Sequence, residues 1–119
     1  LQRAWLRALL ERGMARVAVA KPGREARLGV AFSPAFRRAA VVERVSADGL
    51  ACGAVEVGDR IVAINGERVD APATAAHRLR ESAGEVRLVV QMAWAVDRAA
   101  LKAREEAEAE AEAEAEAAR

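Results

Sequence analysis

Gly29, set between Leu28 and Val30, is the position in this 119-residue chain where backbone atoms alone can do chemistry. A glycine flanked by apolar residues permits a tight turn that leaves successive amide N–H groups pointing outward, a nest suited to an anion such as a carboxylate. Thirty residues on, Val57-Gly58-Asp59-Arg60-Ile61-Val62-Ala63-Ile64-Asn65-Gly66 reads as a turn, a strand and a tight-turn pair. Together the two stretches point to capture of the carboxylate end of a peptide, with no bond broken. The side chains suited to bond-breaking are scarce. Ser33, Ser46, Ser82 and Thr74 lie in no strained elbow and have no histidine partner by pattern, so no catalytic residue is assigned. His77, the one histidine, and Cys52, the one cysteine, stand 25 residues apart and do not make a metal site; no cofactor is expected. Cys52, between Ala51 and Gly53, reads as a packed, inert thiol.

Composition narrows the partners. Nineteen Lys and Arg face eighteen Asp and Glu, unevenly placed. Residues 1–15 hold three Arg and one Glu, residues 16–92 twelve basic and nine acidic groups, and residues 93–119 four basic and eight acidic groups. A mildly basic body with an acidic tail and only four aromatics (Trp5, Phe32, Phe36, Trp94) lacks the basic stripe and stacking platforms of a nucleic-acid binder. No apolar run reaches the eighteen residues of a transmembrane segment. A chain opening on Leu1 reads as processed or excised, which leaves room for an intracellular protein, cytoplasmic or organellar after loss of an upstream targeting segment.

Three segments position these residues. Residues 1–15 pattern as an amphipathic helix with Leu1, Trp5, Leu6, Leu9 and Leu10 on one face. Residues 16–92 alternate strands and turns, with strands at 16–20, 28–32, 40–45, 60–64, 67–69 and 86–92. Lys21-Pro22-Gly23-Arg24-Glu25 reads as a loop, and a very short helix is expected around Leu50 to Gly53. The main helix runs from Pro72 to Ser82, with Asp70 as its N-cap and Gly84 beyond its end. The fold class is mainly β within α+β: a small, partly open six-stranded barrel with one main and one short helix, flanked by terminal helices. In residues 93–119 the Ala-Glu repeat spreads like charges around a helix, so a solvated helix or fraying coil is expected.

The order of these elements, with Leu28-Gly29-Val30 and Gly58 to Gly66 at their spacing, resembles the PDZ domain family over residues 16–92, about two-thirds of the chain. The resemblance implies a PDZ-like barrel that binds a peptide by strand addition, in which main-chain hydrogen bonds supply affinity and side-chain pockets selectivity. Arg27-Leu28-Gly29-Val30 stands where the family has its Gly-Leu-Gly-Phe loop, which implies carboxylate binding by the amides of Leu28, Gly29 and Val30 with Arg24 or Arg27 adding positive potential. The ligand strand would lie along Val30, Ala31 and Phe32, with Pro72, Ala76 and Leu79 on the groove side of the helix. Leu28, Val30, Phe32, Ala76 and Leu79 would line the pocket for the last side chain, an apolar one, stabilised by about 1.5–3 kcal/mol when buried. Pro72 stands where the best-known subclass has a histidine that selects Ser or Thr, and His77 would point away from the groove. Arg37 and Arg38 read either as favouring acidic residues upstream in the ligand or as a solvated basic turn.

Three functions follow as expectations. One is an interaction module for C-terminal or internal peptides. A second is a scaffold subunit of a large multisubunit complex, docking through flanking helices with Trp5, Leu9 and Trp94 as anchors. The third is the peptide-sensing domain of a protease whose catalytic part lies elsewhere.

Overall fold

Period-two alternation decides the two longest strands. In the computed structural model, which describes residues 13–118, β1 (Met14–Lys21) and β6 (Gly84–Gln91) pair antiparallel from Met14 opposite Gln91 to Lys21 opposite Gly84. β6 buries Val86, Leu88 and Val90 and exposes Glu85 and Arg87, while β1 turns Val17, Val19 and Lys21 inward. Between them come β2 (Val30–Phe32), β3 (Ala40–Val45), β4 (Arg60–Ile64), β5 (Glu67–Arg68) and α1 (Pro72–Glu81). The sheet runs β1-β6-β4-β3-β2, antiparallel throughout, with β5 paired to β4. β1 and β2 are therefore its edges. The β4–β5 hairpin closes on Asn65 and Gly66, both at positive φ (51° and 82°), as Asn-Gly in a two-residue turn requires.

The main core sits inside this curved sheet, where Leu28, Val42, Ile61, Val86 and Leu88 meet Ala75 and Leu79 of α1. α1 begins with Pro72 in its first turn, but Asp70 does not cap it: the N-cap is Ala71, whose methyl group can accept no hydrogen bond. The segment around Leu50–Gly53 is a succession of turns rather than the expected short helix. It retains a single helical bond, from the Val55 amide to the Ala51 carbonyl (3.2 Å). Cys52 lies in these turns and is exposed, not packed as expected.

After β6 a 3-10 turn (Ala93–Ala95) leads into α2 (Arg98–Ala117), whose N-cap Asp97 accepts a bond from the Ala100 amide (2.9 Å). α2 crosses the outer face of the sheet. Leu101 packs on Phe36, Ala39 and Val41, which explains why Ala40, Val41 and Val42 of β3 are all buried: both faces of that strand are covered. Arg60, opposite Val41, is half-buried there; burial, then Arg68 and Arg104, lower its pKa, yet a guanidinium stays charged at neutral pH. The amides of Arg37 and Arg38 both donate to Glu105 Oε1 (2.6 Å each), and the Arg38 guanidinium pairs with Glu108 (3.5 Å) and Glu112 (3.2 Å). The acidic tail is thus a helix docked as far as Glu112, because the 105, 108 and 112 positions fall on one face despite the period of two. The N-terminal amphipathic helix expected over residues 1–15, with Trp5 and Leu9, falls outside the described residues up to residue 12, and its expected end is not helical: Met14 and Ala15 already pair in β1.

Candidate functional site

The Leu28–Gly29 turn is held from behind by the segment that follows β3. The amides of Ser46, Leu50 and Ala51 donate to the carbonyls of Gly29 (2.7 Å), Arg27 (3.1 Å) and Leu28 (3.0 Å). Three successive carbonyls are thereby drawn to one side. Gly29 adopts φ +79°, and a Cβ there would lie 2.8 Å from the Gly49 Cα. Gly49 is as tightly placed: its Cβ would meet the Leu28 carbonyl oxygen at 2.4 Å and the Gly29 Cα at 2.7 Å. Two glycines back to back let the two backbones touch.

The hydrogen-bond phase of β2 then decides what its edge offers. Ser46 N–H bonds Gly29 O and Ser33 N–H bonds Val41 O (2.8 Å), so the Val30–Val45 and Phe32–Val42 partners are both of the non-hydrogen-bonded kind. The N–H and C=O of Val30 and Phe32 consequently face away from β3, toward the open edge beside α1. Alternate residues of a strand share a phase, and the bulge between Ala31 and Phe32 leaves it intact because β3 absorbs the shift: Arg44 is opposite Ala31, Val42 opposite Phe32, and Glu43 is the extra residue. β2 stops at Phe32, followed by Ser33, whose Oγ accepts the Ala35 amide (3.2 Å), and Pro34.

Beside the turn lies a cavity of about 600 Å³ whose wall includes Arg27, Leu28, Gly29, Val30 and Ala31 from the loop and β2, and Ala76 and Leu79 from α1. Two of the expected groove residues are not in that wall. Phe32 is turned onto the core, and Pro72, at the far end of α1, lies a helix turn beyond Ala76. His77 is exposed and lines a different cavity with Ile64, Asn65 and Glu67. Arg38, read as a candidate for ligand contact, is committed to α2.

Lys21, expected in a loop, is the last residue of β1 and is 1% exposed. Its ammonium donates to the Leu79 carbonyl (2.6 Å) and the Arg80 carbonyl (3.0 Å), filling the role of a C-terminal cap for α1. The alternation Val17, Val19, Lys21 was the available signal. The same wall carries Arg24, Arg44 and Arg80, with Glu25 as its one carboxylate; Arg24 is paired with Glu81. Gly49 and Arg44 carry no motif of their own, and pairing across the sheet is what brings them to the site. Such an arrangement, outward main-chain groups on a short edge, an apolar floor and a positive rim, can accept an extended chain ending in an anion. Among the described residues no group of His, Cys, Asp or Glu is placed to hold a metal ion, and no helix is long and apolar enough to cross a membrane.

Comparison with known proteins agrees with this geometry. Residues 41–91 match the family model described as PDZ domain, a stretch from β3 to the end of β6 that excludes the Leu28–Gly29–Val30 turn. Among solved structures, the PDZ domain of choanoflagellate GIPC is similar, with 25% identity, a TM-score of 0.57, and 66% of this chain and 89% of that one covered. The same domain bound to GAIP peptide matches with a TM-score of 0.58 at the same identity and coverage. Dlg1 PDZ2 of Monosiga brevicollis shares the fold at 23% identity, with a TM-score of 0.55 over 66% of this chain and 98% of that one. No curated protein sequence matches the chain. Strand order, edge groove and family match agree: the fold is PDZ-like, with the PDZ domain match at residues 41–91.

Proposed function

We propose that the domain captures the C-terminus of a partner protein by strand addition between β2 and α1. The observation that carries this reading is the phase of β2: Val30 and Phe32 present their main-chain donors and acceptors to an open edge that starts at a glycine turn. The ligand carboxylate rests on the amides of Leu28, Gly29 and Val30, in the positive field of Arg27 and Lys21. The last side chain, an apolar one, enters between Leu28, Val30, Ala76 and Leu79, and an apolar residue two positions earlier faces Pro72 and Ala73. The GIPC PDZ domain has been solved with GAIP peptide and with B1AR peptide, which lends the peptide-binding reading support. The role is recognition, with no reaction assigned to the domain.

Fluorescence polarisation tests it with one labelled peptide ending in Val or Leu, made as the free acid and as the C-terminal amide. The free acid is expected to bind and the amide to bind at least about tenfold more weakly, since a carboxylate on oriented amides is a charge-assisted contact. Equal affinity of acid and amide, or no binding of apolar-ended free acids, refutes the reading.

A second reading, a scaffold subunit of a large assembly, draws on the opposite end of the domain. Trp94 is 67% exposed and Val57 59% exposed, and their segments adjoin where the Asp59 Oδ1 accepts the Ala93 amide (2.8 Å). Large exposed apolar groups of this kind anchor interfaces. Trp94→Ser with unchanged assembly size in light scattering of the intact complex would remove the support for it.

A further inference from the structure

We infer that Arg44 reads the penultimate residue of the ligand and selects an acidic side chain there; the inference rests on the strand-addition reading above. Arg44 is opposite Ala31 in the β2–β3 pair, so the two side chains stand on the same face of the sheet. Val30 and Phe32 occupy the other face and pack toward the core. A ligand whose carboxylate is held at the turn, and which pairs antiparallel with β2, places its last residue beside Val30 and its antepenultimate residue beside Phe32. Its penultimate residue falls beside Ala31, with the side chain on the outer face, in line with Arg44.

Distance and chemistry favour contact across β2. Two strand spacings separate the β3 and ligand backbones by about 10 Å. Ala31 puts only a methyl group between them, and a long arginine and a glutamate reaching toward each other span that gap. Arg44 is exposed, lines the groove cavity and makes no salt bridge among the described residues, so its guanidinium is available. The bulge limits the effect to one position. Glu43, the extra residue of β3, is exposed one step further from the carboxylate turn and is absent from the cavity wall. A ligand residue two positions upstream of the penultimate one falls beside Ser33, whose partner in β3 is Val41, so it meets no cation across β2.

The test is a set of free-acid peptides sharing one apolar last residue, with Glu, Gln or Lys placed in turn at each of the three preceding positions, measured against the full chain. Glu at the penultimate position is expected to bind about two- to fivefold more tightly than Gln there, the range of an exposed ion pair, with the gain shrinking in high salt. Arg44→Ala is expected to abolish the gain and Arg44→Glu to turn it into a preference for Lys. Circular dichroism of both variants confirms that they remain folded, and the wild-type series stands independently of them. Equal binding of Glu and Gln at that position, or a gain that survives Arg44→Ala, overturns the inference while peptide capture stands. Failure of every free-acid peptide to bind overturns both.

Discussion

Gly49 lies twenty residues from Gly29 and takes no part in the groove wall, yet its replacement should disable the proposed site. In Gly49→Ala the new Cβ would sit 2.4 Å from the Leu28 carbonyl oxygen, 2.7 Å from the Gly29 Cα and 2.9 Å from the Leu28 carbonyl carbon. Reaching an ordinary non-bonded separation of about 3.5 Å requires the two backbones to part by about 1 Å. That displacement takes the three bonds joining them, now 2.7, 3.0 and 3.1 Å, beyond hydrogen-bonding distance. At about 1 kcal/mol for each bond, the loss is about 2–3 kcal/mol, in keeping with other overpacked sites. For a domain near 100 residues this lowers the melting temperature by about 10–20 °C. The amides of Leu28 to Val30 lose their aim at the same time, so affinity for a free-acid peptide should fall at least about tenfold. Gly53→Ala is the control. Its φ is +88°, but nothing lies within 4 Å of the added carbon, so only the left-handed backbone cost of about 1 kcal/mol applies and peptide affinity should hold. Urea denaturation followed by circular dichroism, with fluorescence polarisation on the same samples, measures both quantities. A smaller loss for Gly49→Ala than for Gly53→Ala, or intact peptide binding by Gly49→Ala, would refute the contact argument.

Three other outcomes are expected. Lys21→Met keeps the side-chain stem but leaves the Leu79 and Arg80 carbonyls without their charged donor, which should cost about 2–3 kcal/mol in urea denaturation; a change below about 0.5 kcal/mol would contradict the capping role. Glu105→Ala removes one carboxylate oxygen that accepts two backbone amides at an exposed site. Stability should drop by about 1 kcal/mol, and hydrogen exchange at the Arg37 and Arg38 amides should accelerate while the amides of β6 are unchanged; unaltered exchange would argue against docking of α2. Asp59→Ala strips the buried acceptor shared by the Glu56 amide (2.9 Å) and the Ala93 amide (2.8 Å), costing about 2–3 kcal/mol by thermal denaturation, and an unchanged melting temperature would refute it.

The local elements were legible because each depends on neighbours in sequence. Alternation marked β1 and β6, Asn65-Gly66 could only be a two-residue turn with positive φ, and Pro72 announced the start of α1. Gly29 between apolar residues located a tight turn at positive φ for the same reason, since backbone freedom belongs to the residue itself. What sequence reading could not reach were the relations set by partners far along the chain. Lys21 looks like a loop residue until α1 brings its last carbonyls within 3 Å. Arg38 looks like a free cation until α2 folds back with Glu108 and Glu112, and Arg44 looks like one more surface charge until the pairing of β2 with β3 sets it opposite Ala31. Glycine, proline and alternation are properties of a residue and its immediate neighbours, so the sequence by itself determined the strands and the tight turns. Which cation faces the groove, which is spent elsewhere and which glycine supports the turn from behind depend on strand register and helix docking, and only the tertiary structure decided those.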